Sequence, residues 1–389
     1  MKKGWEYKTL GEVSNTVNNI NWNKDEHSYL YIELTSVDRE TSSIKGTTFV
    51  DKTNAPSRAK QIVKKGDVLF ATTRPTLKRV AIIDDDFDNS ICSTGFCVIR
   101  PQVDIVVPRL IFYLLKNEHF YKYIEPLQTG ASYPAVTNNI VKLYKFAIPI
   151  DISEQRRIVS YLDSSFDYID KIKENASKAL SEAKALFQSA LAEAMEPKEG
   201  WEEKKLYDIS IYSIGLTYKP NDVSEKGTIV LRSTNIQDDK LNFDDIVRVN
   251  TKIKDSLYVK NGDILMCSRN GSPRLVGKVA KIENISEPMT FGTFMMIIRS
   301  DYNDYLYYFF KSDCFRNQIK HGEANMINQI TRYMLDDVII NLPSISEQEQ
   351  IVSRLDSLSS KVRTIEEKYQ KMIAECDALK QAMLREVFE

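Results

Sequence analysis

The stretch from Ser346 to Phe388 decides the fold. Apolar residues fall at Ile351, Leu355, Leu358, Val362, Ile365, Tyr369, Met372, Cys376, Leu379 and Met383, with steps of four and three alternating throughout. That spacing is an a/d heptad, which predicts a helix with a coiled-coil seam. No Gly or Pro interrupts it, and at ~1.5 Å per residue the helix would extend about 65 Å. A solitary helix of this kind needs a partner for its apolar stripe. The partner lies in the same chain. A second run of like length carries Ile158, Leu162, Phe166, Ile169, Ile172, Ala176, Leu180, Ala183, Phe187, Ala190 and Ala194. Ser153-Glu154-Gln155 opens one run and Ser346-Glu347-Gln348 the other, each a few residues after a proline, Pro149 or Pro343. The two serines stand where N-caps are expected, with an acid in the first turn.

Outward from these helices the whole chain repeats. Gly4-Trp5-Glu6 returns as Gly200-Trp201-Glu202, and Lys65-Gly66-Asp67-Val68-Leu69 as Asn261-Gly262-Asp263-Ile264-Leu265, both 196 residues later. Phe96 to Arg100 resembles Phe294 to Arg299, and Tyr113-Leu114-Leu115-Lys116 resembles Tyr308-Phe309-Phe310-Lys311. Landmarks in one order at one long period mean a duplicated domain, not a solenoid. The predicted organisation is a domain over 1–150, a helix over 151–196, a second domain over 197–342 and a second helix over 343–389. Each domain reads as α+β. Val68–Thr72 and Ile264–Ser268 are strands after a Gly-Asp turn, Val80–Ile83 and Val276–Ala280 their hairpin partners, and Arg109–Tyr123 and Tyr302–Lys320 helices on the sheet. The span that each compact domain can bridge favours an antiparallel helix pair with pseudo-two-fold symmetry.

Composition narrows the function. With 53 basic and 54 acidic residues the net charge is -1, so any nucleic-acid contact must come from local patches. Five cysteines without paired spacing read as reduced core residues of a cytoplasmic protein, and no apolar run is long enough to span a membrane. The three histidines are isolated, there is no phosphate-binding glycine loop, and no Asn/Asp-Pro-Pro-aromatic tetrapeptide of an amino-methyltransferase occurs. Scattered carboxylates leave a nuclease reading open without a constellation to support it.

What stands out instead is a pair of equivalent basic loops. Thr72-Thr73-Arg74-Pro75-Thr76-Leu77-Lys78-Arg79 and Ser268 to Lys278, the latter with Arg269, Asn270, Arg274 and Lys278, each carry three cations and no acid. Such residues on loops reach phosphates and base edges. Two further pairs of polar segments join them as candidates for DNA contact. Thr35, Ser36 and Arg39 match Arg232, Ser233 and Asn235. Ser132, Tyr133 and Asn138 match Asn325 and Asn328. These loops differ between the repeats, so the two domains are expected to read different half-sites of a two-part target.

The Gly-Trp openings, the Gly-Asp strands and the duplicated Ser-Glu-Gln helices together resemble the specificity subunits of type I restriction–modification enzymes, over essentially the whole chain. The resemblance implies two target recognition domains reading one half each of an asymmetric double-stranded DNA site. It implies helices that set the spacer and dock two methyltransferase subunits, with Lys171, Lys173 and Lys178 among the outward contacts. It implies two restriction subunits in the full complex, and a chain that is not itself an enzyme. S-adenosylmethionine, ATP and Mg²⁺ would then belong to the partner subunits, with no cofactor or metal in this chain. A stand-alone DNA methyltransferase and a structural coiled-coil adaptor are the alternatives. The missing cofactor motifs weigh against the first and the basic loops against the second.

Overall fold

The computed structural model describes residues 3–319 and 329–389. Its contacts divide the chain into two compact units, Met1–Ser177 with Tyr369–Glu389, and Lys178–Lys368. This division differs from a domain-then-helix reading, because each unit owns part of both long helices.

The two units are built on one plan. In unit 1 a four-stranded antiparallel sheet runs in the order Ser14–Asn15, Phe96–Pro101, Val68–Ala71, Val80–Ile82. In unit 2 the order is Ile211–Ile214, Met295–Arg299, Ile264–Cys267, Val279–Lys281. The central strands Val68–Ala71 and Ile264–Cys267 are buried at every position, which explains their unbroken apolar sequence. A second sheet in each unit contains one parallel pair, Tyr29–Ile32 with Ile91–Ser93 and Val223–Leu231 with Met289–Phe291. A two-stranded ribbon closes each unit, Trp5–Thr9 with Lys145–Pro149 and Glu202–Lys205 with Ile339–Leu342.

The Gly-Asp landmark has a physical cause. Gly66 and Gly262 both sit at φ +87°, which turns the chain into the central strand. The carboxylate that follows is almost fully buried and takes a forked pair of bonds from an arginine on the neighbouring strand. Arg100 Nε and Nη2 reach Asp67 at 2.9 and 2.7 Å, and Arg299 Nε and Nη2 reach Asp263 at 2.7 and 2.5 Å. Each Asp also accepts a backbone N–H at 2.8 Å, from Lys64 or Lys260. The paired carboxylate raises the arginine pKa in both repeats.

The predicted helices over Arg109–Tyr123 and Tyr302–Lys320 are each broken in two. The pieces are Pro108–Leu114 and Glu118–Ile124 in unit 1, and Asn303–Lys311 and Asp313–Ile319 in unit 2. Asn117 starts a new helix by accepting the His119 N–H at 2.9 Å, and Ser312 occupies the corresponding break. The apolar pattern runs on across both breaks and hides them.

The long helices span Ile152–Met195 and Ile345–Phe388, 44 residues each. Their caps are each two residues earlier than the expected Ser153 and Ser346. Asp151 accepts the Ser153 N–H at 2.8 Å and Ser344 accepts the Glu347 N–H at 3.4 Å. The glutamine of the Ser-Glu-Gln motif is the locking residue. Gln155 and Gln348 are buried, and each donates Nε2–H to the carbonyl of the preceding proline, Pro149 or Pro343, at 2.8 Å. Gln155 further bonds Ile105 O and Val107 N, each at 2.9 Å.

Within each unit the helix segments run antiparallel. In unit 1 Asp170 pairs with Lys380 and Lys173 with Asp377, and in unit 2 Lys184 pairs with Glu366 and Glu193 with Arg354. Lys173 therefore bridges the helices and is not an outward contact. The heptad seam holds in the first half of the second helix, with Leu355 and Val362 buried, but drifts in the second half. Met372 and Leu379 are exposed while Ile373, Cys376, Met383 and Leu384 turn inward. A straight 3.6-residue helix slips about 20° per heptad against a 3.5-residue pattern, and here the drift is filled by Ile373 and Leu384.

Candidate nucleic-acid interface

In unit 1 the structure brings the three expected segments together. The basic loop leaves the central strand at Thr72, whose N–H and hydroxyl both donate to Gly95 O at 2.8 Å. It is then stitched to the third segment, with Thr73 bridged to Ala135 and Arg74 N–H bonded to Pro134 O at 2.7 Å. The first segment closes over the other side, where Arg79 donates to Val37 O. Arg74 and Lys78 both adopt left-handed backbone, φ +49° and +56°. Non-glycine residues hold such a conformation where surrounding structure over-determines it. The Arg74 guanidinium lies 4.6 Å from the ring centre of Tyr133, and Lys78 Nζ lies 5.1 Å from that of Tyr121.

Unit 2 uses the same stitches. Ser268 N–H and hydroxyl donate to Phe294 O at 2.9 Å. Arg269 is bridged to Gln329, Asn270 Nδ2 donates to Ser233 Oγ at 3.0 Å, and Lys278 Nζ donates to Ile236 O at 3.3 Å. The Arg269 guanidinium stands 5.5 Å from the ring centre of Phe294. Among the described residues none of Arg74, Lys78, Arg79, Arg269, Arg274 or Lys278 forms an ion pair. These local cations are left uncompensated in a chain of nearly neutral total charge, so they can attract phosphate.

Several expected contact residues are turned inward and are corrected. Ser36, Thr72, Asn235 and Ser268 are buried. Thr72 and Ser268 staple the loop bases, and Asn235 bonds the carbonyls of Asn242 and Asp245 at 2.9 and 3.0 Å. Arg232 is taken by Asp245 at 2.6 Å. Thr73, Arg79, Ser233, Asn270 and Lys278 are half-buried. The outward-facing set is Thr35, Arg39, Arg74, Lys78, Ser132, Tyr133 and Asn138 in unit 1, with Arg269 and Arg274 in unit 2. Arg39 has a neighbour in Glu40 at 3.8 Å, and Thr35 bonds Glu33. Asn325 and Asn328 lie outside the described residues.

The first segment is also tied to the body of each unit by a lysine that the repeat contained but its composition did not mark. Lys116 Nζ donates to Ser42 Oγ at 2.9 Å, and Lys311 Nζ pairs with Asp239 at 2.7 Å. Ser42 and Asp239 both have φ +59°, so the same bent turn is held in both repeats. Lys311 rests on the rings of Phe187, Tyr307 and Tyr308, and Lys116 on Phe112. Burial, followed by the neighbouring Lys380, pushes the Lys116 pKa down to about 8.

Burial raises the thiol pKa values of Cys92, Cys97 and Cys267, that of Cys97 to about 12, so these sulfurs are held as thiols. No cluster of three His, Cys, Asp or Glu side chains among the described residues could hold a metal ion. No helix there is long and apolar enough to cross a membrane.

Comparison with known proteins gives the duplicated architecture its family. The type I restriction modification DNA specificity domain matches twice, over residues 2–182 and 198–373. The chain belongs to that family. Among similar specificity-domain proteins, the type I restriction enzyme HindI specificity subunit of Haemophilus influenzae is 29% identical over 195 residues, 48% of this chain and 40% of its own length. The EcoKI specificity subunit of Escherichia coli is 27% identical over 195 residues, 48% of this chain and 42% of its own length. The chain thus spans about two fifths of these relatives. Among solved structures, one described as showing complex assembly and conformational transition of the type I R-M system is 26% identical with a TM-score of 0.85, covering 100% of this chain and 98% of the other. The HsdS subunit of Thermoanaerobacter tengcongensis is 26% identical with a TM-score of 0.59, covering 100% and 97%. Two specificity domains, each paired with a long helix, thus account for the 196-residue period.

Proposed function

We propose that this chain is the non-catalytic DNA-specificity subunit of a type I restriction–modification enzyme, each domain reading one half of a two-part, asymmetric target. The observation that carries the reading is an uncompensated basic loop at the same place on both scaffolds, joined by three polar segments in unit 1 and stitched to Ser233, Ile236 and Gln329 in unit 2, with different side chains. Shared stitches fix the loops rigidly, and the differing residues they present supply different base preferences. The long helices join the domains and set the unread spacer between half-sites. Their exposed faces, with Lys171 and Lys178, dock two methyltransferase subunits, and two restriction subunits complete the assembly. S-adenosylmethionine, ATP and Mg²⁺ act in those partners.

The test is selection of bound duplexes from a randomised library by the full chain, followed by sequencing, at two salt concentrations. Enrichment of two separated and unrelated motifs supports the reading. Arg74→Ala with Lys78→Ala should then lower affinity for every duplex and flatten the salt dependence by about one unit for each phosphate no longer neutralised. Binding without any sequence preference overturns it.

A further inference from the structure

One difference between the repeats goes beyond loop composition and is a matter of shape. Strand register makes Gly95 and Phe294 equivalent, since each precedes the strand partner of the loop base, Phe96 opposite Ala71 and Met295 opposite Cys267. Each also receives the loop-base hydrogen bonds on its carbonyl. Leu34 and Ser233 open the equivalent short 3-10 turns. In unit 1 the leucine side chain fills the space over the glycine so closely that a Cβ at Gly95 would meet Leu34 Cδ1 at 2.9 Å. In unit 2 both sizes are reversed. A serine faces a phenylalanine, and the result is an open cavity of about 320 Å³ lined by Tyr218, Arg232, Ser233, Thr293 and Phe294.

We infer that this cavity is a base-reading subsite of domain 2, receiving one nucleobase of the bound duplex against Phe294. The inference rests on the DNA-reading function proposed above and deepens it. Phe294 is 57% exposed, a large apolar surface that folding alone does not require. A base face or a thymine methyl is the DNA component that an exposed phenyl ring contacts favourably. Arg269 lies over the same ring, so an aromatic surface and a phosphate-seeking cation are offered together. The hydroxyls of Thr217 and Thr293, 3.1 Å apart on the exposed rim, supply donors and acceptors for a base edge. The wall behind them is rigid. Leu216 N–H bonds Phe291 O at 2.7 Å, and a Cβ at Gly215 would collide with the carbonyl oxygens of Phe291 and Gly292. The space is at the small end of ligand cavities, suited to one planar group. In unit 1 the Leu34 side chain fills the corresponding space over Gly95.

The experiment uses the full chain and a duplex library randomised in both half-sites. Phe294→Ala removes the ring, and Ser233→Leu with Phe294→Gly installs the unit 1 pair and closes the cavity. Both should relax one base position, or two adjacent ones, in the domain 2 half by about tenfold or more. The domain 1 half and the salt dependence should remain as in wild type in both variants, because neither changes a charge or a residue of domain 1. Phe294→Ala should keep the wild-type melting temperature because Phe294 lies outside the core, whereas Ser233→Leu also removes the Asn270 bond. Unchanged base preference in both variants overturns the subsite. If Arg269→Ala with Arg274→Ala still weakens binding in that case, DNA reading stands and only the cavity's role falls. A wild-type chain that enriches no motif removes the proposed function and the subsite together.

Discussion

Domain 1 and domain 2 share several buried polar contacts that hold their frame and differ at several loop positions around it. The Asp67–Arg100 and Asp263–Arg299 forks recur, as do the bonds of Gln155 and Gln348 to the preceding proline carbonyl and the tyrosine bonds of Tyr113 and Tyr308. Both tyrosines bond an aspartate on a long helix, Asp163 or Asp356. Within this frame, Glu33 corresponds in position to Arg232, Leu34 to Ser233, and Gly95 to Phe294. The duplication has kept what packing and desolvation penalise and released what they do not. A shared frame makes the two loop surfaces comparable, and the loop side chains it carries make them different.

The largest expected effect tests the frame. Arg100→Ala leaves the Asp67 carboxylate buried without its partner and should cost about 3–5 kcal/mol. Arg299→Ala should cost less, because the Arg299 side chain is 33% exposed against 16% for Arg100. Denaturation of single-tryptophan variants that keep only Trp22 in unit 1 or only Trp201 in unit 2 reads the two sites separately. An equal loss at both would show that exposure of the arginine does not grade the pair.

A second comparison concerns the helix seam. Leu384 and Leu355 are both fully buried, one in the core of unit 1 and the other in that of unit 2. Leu384→Ala and Leu355→Ala should each cost about 2–5 kcal/mol, Leu384 read first by the unit 1 tryptophan and Leu355 by the unit 2 tryptophan. The reverse order of reporting would break the assignment of helix ends to units.

The lysine ties differ in their partners. Lys116 has a hydroxyl partner and Lys311 a carboxylate. Because the Lys116 pKa is about 8 in the folded chain and higher when unfolded, the unfolded chain holds more protons between about pH 8 and 10.5. Stability from this group therefore rises with pH across that window and is lowest below it. Lys116→Met should remove a rise of roughly 1–3 kcal/mol from the pH profile of unit 1, whereas Lys311→Met removes an ion pair and should destabilise unit 2 at neutral pH. Identical profiles for the two variants would make the partner irrelevant.

The smallest effect is at the caps. Asp151→Ala and Ser344→Ala should each lower the melting temperature by the equivalent of about 1 kcal/mol, while Ser153→Ala and Ser346→Ala should be close to neutral. A larger loss at the serines of the motif would restore them as caps.

The repeat and the long helices were legible because a 196-residue period and forty residues of periodic apolar spacing leave few alternatives. The helix breaks at Asn117 and Ser312 were not, since the apolar face continues through them. Loop position was legible from acid-free composition. Loop detail was not, because Ser, Thr and Asn serve equally to reach a groove and to staple a turn, and only burial separates Thr72 and Asn235 from Thr35 and Asn138. Phe294 was hidden by its place beside an apolar strand, where it was aligned with buried Phe96 and not with Gly95.

The last turns of the second helix belong to the first domain. Cys376, Met383 and Leu384 lie in one core with Leu10, Val13 and Phe70, and Asn117 Nδ2 donates to Leu384 O at 3.4 Å. During synthesis, residues near the amino terminus must therefore wait for some three hundred further residues to leave the ribosome before their core is closed. Unit 2, made of the single stretch Lys178–Lys368, has no such wait. The half of the protein that is translated first is the half that finishes folding last.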